Sequence, residues 1–118
     1  MGVSRLIVVS IFLLLCLPIS AQDDYYRKKA ESYTREAEYY QKKADGYRRE
    51  AEYYLKKAEV YQREVSYYTK KGKNDTARAY TRYADSAMDD YRTKMRYASQ
   101  ADDKAAQYLK WAADALRR

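Results

Sequence analysis

The sequence predicts an all-α protein: two long antiparallel helices forming a helical hairpin, packed as a coiled coil with Ala at heptad position a and Tyr at d, and self-associating. Three observations carry this expectation. An alanine and tyrosine stripe recurs every seven residues from Tyr26 to Tyr68, the spacing that sustains a left-handed supercoil. Acidic residues stand four positions before basic ones along the same stretch, the order that supports a helix. Beyond residue 21 no proline interrupts the chain, and Gly72, Asn74 and Asp75 mark one break.

Residues 1–21 read as a cleaved signal peptide. Arg5 precedes an uncharged apolar run from Leu6 to Leu17, then Pro18 and the small-residue end Ile19-Ser20-Ala21, the layout of a secretory leader. The run falls short of the roughly 20 residues that span a bilayer. Leu6 stands where N-myristoylation wants Ser or Thr. The expected location is secreted and extracellular.

Residues 22–71 form the first expected helix. It carries four tyrosine-rich units in fourteen-residue steps: YYRKKAESYTREAE from Tyr25, YYQKKADGYRREAE from Tyr39, YYLKKAEVYQREVS from Tyr53 and a decaying YYTKKGKND from Tyr67. Fourteen residues are two heptads. Ala30, Ala37, Ala44, Ala51 and Ala58 then occupy a, and Tyr33, Tyr40, Tyr47, Tyr54 and Tyr61 occupy d, forming the expected seam. Acids at b (Glu31, Glu38, Asp45, Glu52, Glu59) precede bases at f (Arg35, Lys42, Arg49, Lys56, Arg63), each pair worth about 0.2–0.5 kcal/mol. Small alanines let two backbones approach, while tyrosines lie over the gap with rings covered and hydroxyls reaching water.

Residues 72–75 are the expected turn. Gly72 suits a left-handed C-cap, and Asn74 or Asp75 suits the next N-cap. Residues 76–118 form the second helix, with a stripe from Ala77 through Tyr80, Ala84, Ala87 and Tyr91 to Ala98, and on through Ala101, Ala105, Tyr108, Ala112 and Ala115. Joined by so short a turn, helices about 60–70 Å long must fold back on each other. Leu, Val and Met are scarce after residue 21, so the core is thin. Pairing into a four-helix bundle or longer assembly is the expected remedy.

Composition narrows the function by exclusion. After residue 21 there is no cysteine, histidine or proline. Disulfides, thiolate or imidazole metal sites, and Ser-His-Asp or Cys-His catalysis are thereby ruled out. No enzyme activity, cofactor or metal is expected. The net charge is +7, or +6 without Arg5, with both signs interleaved. That balance suits mild attraction to acidic polysaccharide or an anionic surface more than nucleic-acid binding.

Tyr25, Tyr39, Tyr53 and Tyr67 recur at c in alternate heptads, about 21 Å apart along the axis. Packing does not require tyrosine there. Three readings are open: widening an interface with another hairpin, oxidation and cross-linking with lysines close behind each ring, or repeat duplication with no selected role. The sixteen tyrosines give a composition similar to that of tyrosine-rich extracellular matrix, shell-matrix and adhesive proteins. Asn74-Asp75-Thr76 is an N-glycosylation sequon in the expected turn.

The leading functional expectation is a secreted, non-enzymatic structural or extracellular matrix protein with homo-oligomeric or matrix partners, cross-linked through tyrosine. Two alternatives stand beside it. One is an amphipathic lipid- or membrane-binding protein, weakened by a face poor in leucine and phenylalanine. The other is a secreted ligand, effector or defence protein that meets a partner through Tyr108, Leu109 and Trp111 near the open end.

Overall fold

The computed structural model describes residues 21–118. The expected signal peptide lies outside the described residues except for Ala21. Two helices make up the fold. Helix α1 runs Ala21–Lys70 and helix α2 runs Asn74–Leu116. They pack antiparallel against each other in a rod of 80 × 22 × 13 Å. The helical hairpin predicted from the seven-residue stripe is the observed architecture.

The link is shorter than its composition suggests, because one residue serves two helices. Gly72 adopts φ 74°, the left-handed conformation that costs a residue with a Cβ about 1 kcal/mol or more. Its N–H donates to the Thr69 carbonyl at 3.1 Å, and the Lys73 N–H donates to the Tyr68 carbonyl at 2.9 Å. This paired bonding is the Schellman motif. Lys73 is at once the third residue past α1 and the N-cap of α2, where its carbonyl accepts from the Ala77 N–H at 3.0 Å. The expected capping by Asn74 or Asp75 is therefore corrected. Both lie inside the first turn of α2, where Asp75 pairs with Arg78.

Every wholly buried residue among those described is an alanine. The seam alanines Ala30, Ala37, Ala44, Ala51 and Ala58 are at most 3% exposed. Opposite them lie the alanines of α2, as where Ala30 packs with Ala112 and Ala115 under Tyr33 and Leu116. A side chain of one carbon leaves little to bury, but it lets the helices come close and transfers the remaining shielding to the tyrosines.

The solvent face also differs from expectation in detail. Glu52–Lys56 closes at 3.3 Å and Asp24–Lys28 at 3.2 Å, both at i,i+4. Asp45 instead reaches Arg48, three residues on, at 3.2 Å, as Asp89 reaches Arg92 at 2.9 Å. A short carboxylate finds the forked guanidinium one residue earlier. These exposed pairs contribute about 0–1 kcal/mol each.

Candidate functional site: an aromatic seam and an outer tyrosine row

The hairpin register sets one ring-to-ring contact in every second heptad along one flank of the seam. Tyr61 meets Tyr83 at 5.6 Å, Tyr47 meets Tyr97 at 5.5 Å, and Tyr33 meets Trp111 at 5.7 Å. Between and beyond these, Lys104 lies over Tyr40 at 5.1 Å and Arg118 over Tyr26 at 5.9 Å. Each seven-residue step forward along α1 is a seven-residue step back along α2. The d tyrosines of α1 thus face position g of α2, filled in turn by an aromatic ring or a charged group. Near-parallel stacks of Tyr40 on Tyr108 (5.7 Å, 10°) and, beside the turn, Tyr68 on Tyr80 (5.4 Å, 8°) join the same seam. Such ring pairs add about 0.5–1.5 kcal/mol beyond their area.

Lys94 occupies a seam position of α2 and was missed in the sequence. It fills the heptad slot between Tyr91 and Ala98 that the apolar stripe leaves blank. Its Nζ meets Glu50 at 2.8 Å and lies 5.8 Å from the rings of both Tyr47 and Tyr97. The hydrogen bond with Glu50 raises its pKa above the usual lysine value. The blank slot itself was the available signal. A second cross-helix ion pair, Arg48 with Asp102, lies on the opposite flank.

The outer tyrosines form a separate row on α1. Tyr25, Tyr39, Tyr53 and Tyr67 are 51–58% exposed. Each ring stands edge-on to the seam tyrosine that follows it, at 5.3, 5.1, 5.3 and 5.0 Å respectively. Each also carries a lysine ammonium one turn on: Lys29, Lys43, Lys57 and Lys71 lie 5.6, 5.1, 5.6 and 5.4 Å from the four ring centroids. This geometry explains the doubled residues of the repeat. In YYxKK the second tyrosine packs the seam, the first lysine sits on the solvent face, and the first tyrosine and second lysine form a cation–π pair worth about 0.5–1 kcal/mol. Hydrogen bonding to Tyr39 raises the Lys43 pKa.

The remaining candidates divide. Tyr108 and Trp111 meet edge-on at 5.3 Å within the aromatic end cluster. Leu109, two residues before Trp111, lies on another face and is 43% exposed, so the structure does not bring the three together as one contact patch. Trp111 instead borders an open cleft of about 260 Å³ with Tyr26, Tyr33, Lys29, Asp114 and Arg118. Asn74 is exposed in the first turn of α2. Among the described residues no group of acidic side chains is arranged to hold a metal ion. No helix among them is long and apolar enough to cross a membrane.

The fold and the site define a class: an antiparallel two-helix coiled coil with an alanine seam, displaying phenol and ammonium pairs at a fixed axial period. No protein-family model, no curated protein and no solved structure matches this chain.

Proposed function

We propose that this chain is a secreted, non-enzymatic structural component of an extracellular matrix, self-associating by coiled-coil packing and joined covalently through its outer tyrosines. The observation that carries the reading is the row Tyr25, Tyr39, Tyr53 and Tyr67, more than half exposed though packing of the seam needs none of them. Their axial separation of about 21 Å is far beyond the reach of a carbon–carbon bond between rings. Coupling among them therefore joins different molecules. Two phenols each give one electron and one proton to a peroxide, through an extracellular peroxidase, and the two ortho carbons bond while the peroxide becomes water. The interior stacks Tyr40–Tyr108 and Tyr68–Tyr80 are half-buried and less open to such a reaction.

The test is peptide mass spectrometry on the protein recovered from its natural source. The expected result is dityrosine linking peptides that contain the outer tyrosines, with the chain starting after Ala21. Freely soluble native protein with all sixteen tyrosines unmodified overturns the cross-linking role. An intact leader overturns the secreted one.

A further inference from the structure

The face opposite the outer tyrosines has its own composition. The cross-helix pair Arg48–Asp102 marks the register there. One heptad toward the turn it sets Leu55 opposite Met95, and the next reaches Met88. Toward the open end it passes Leu109 and then Leu116. All the leucine and methionine after residue 21 thus falls on one face, with Leu109 43% and Met95 38% exposed. The threonines of the same face make no outward polar demand. Thr34, Thr69 and Thr81 donate their hydroxyls to carbonyls of their own helix, those of Ala30, Val65 and Ala77, at 2.9, 2.7 and 3.0 Å, leaving their methyl groups outward. A face of leucine, methionine and threonine methyl groups, with Gln41 beside Leu109 and Gln62 beside Met88 at its remaining positions and rimmed by charged residues of the f and b positions, is an interaction surface.

We infer that this face binds a second copy of the same chain, the two hairpins lying side by side with their turns at the same end and α1 of each over α2 of the other. The inference rests on the self-association in the proposed function and names the surface that performs it. Charge decides the arrangement. Arg48, which also holds Asp45 of its own helix at 3.2 Å, and Asp102 stand side by side in the middle of the apolar face, with side chains 43% and 45% exposed. A two-fold axis along the rod sets Arg48 of each copy against Asp102 of the other, closing a ring of four alternating charges. The same axis brings Leu55 of one copy to Met95 of the other. Turning the second hairpin end over end instead stacks arginine on arginine and aspartate on aspartate. In the favoured bundle every neighbouring helix pair is antiparallel, as within the hairpin itself, and the tyrosine row remains outside, free to join one bundle to the next.

The experiment uses Arg48→Asp and Asp102→Arg, made separately in the full chain secreted from a eukaryotic host. Sedimentation at micromolar concentration gives the mass, and circular dichroism gives the helix content. The wild type is expected as a dimer and each variant as a monomer of unchanged helicity. Their equimolar mixture is expected to return to the dimer, because both acids of one variant then meet both arginines of the other. Single variants that dimerise like the wild type, or a mixture that stays monomeric, overturn the surface while leaving self-association standing. A monomeric wild type overturns both. Orientation is read from a nitroxide at Lys73→Cys in a Cys16→Ser background. A separation within the width of the bundle supports the shared end, and one approaching the 80 Å rod length overturns it.

Discussion

Enlarging one seam alanine tests whether the narrow seam is a requirement of the fold or only an underfilled core. Ala44 is 0% exposed. The register that packs Ala30 against Ala112 and Ala115 places Ala44, two heptads on, against Ala98 and Ala101. Ala44→Leu adds three carbons. If the seam held spare room, their burial at about 0.8 kcal/mol each would stabilise the hairpin by about 2 kcal/mol. If the helices are already in contact through their alanines, the added volume pushes them apart, strips shielding from the flanking tyrosines and costs about 1–3 kcal/mol. The second outcome is expected, since both facing positions are alanines less than 7% exposed. A loss of about 2 kcal/mol lowers Tm by about 8–16 °C for a domain of this size. Thermal circular dichroism at fixed protein concentration reads it, with concentration held because assembly shifts apparent stability. A Tm that rises refutes the close-approach account of the alanine stripe.

Two further outcomes follow from individual positions. Gly46→Ala is expected to raise Tm by about 4–8 °C: a Cβ there meets nothing within 4 Å, and alanine gains about 1 kcal/mol over glycine inside a helix; a fall in Tm under the same melt refutes it. Stability is also expected to fall above about pH 10. The Glu50 hydrogen bond raises Lys94, and the charge of Tyr68 with partial burial raises Tyr80. A folded pKa above the unfolded one gives a contribution complete below the ordinary value and lost as pH rises through the folded value. A Tm unchanged between about pH 9 and pH 11.5 counts against both contacts.

Helix α1 was legible because two periods agree in it. The alanine and tyrosine stripe gave its buried face, and its charge order gave its solvent face without reference to the other. Helix α2 was harder to read, because its stripe mixes alanine with tyrosine at both a and d and carries Lys94 in a seam slot. A lysine among alanines reads as an interruption until Glu50, Tyr47 and Tyr97 are seen around it. The turn was legible at Gly72, whose role depends on its own backbone. The cap of α2 was not, because the Schellman motif had already made Lys73 the flanking residue of both helices. Cross-helix pairs such as Arg48–Asp102 depend on register, and register follows from where the turn is centred. Once Gly72 is fixed, partners follow by counting outward in heptads.

The fourteen-residue period remains the informative feature, because the seam does not need it. The core of α1 repeats every seven residues: alanine at a from Ala30 to Ala58 with Val65 after them, and tyrosine at d, with no alternation between odd and even heptads. Only the outer flank alternates. Position c reads Tyr25, Ser32, Tyr39, Gly46, Tyr53, Val60, Tyr67, and position g reads Lys29, Glu36, Lys43, Glu50, Lys57, Glu64, Lys71. Tyrosine at c and lysine at g rise and fall together, which is the pairing that places each ammonium over its ring. A packing requirement would act on every heptad alike. A period twice as long, carried by the outer flank and exposed at every position but Gly46 and Glu64, is a property of what the rod presents to its surroundings. That presentation is a line of phenols too far apart to react with one another and spaced evenly enough to meet the same line on a neighbour.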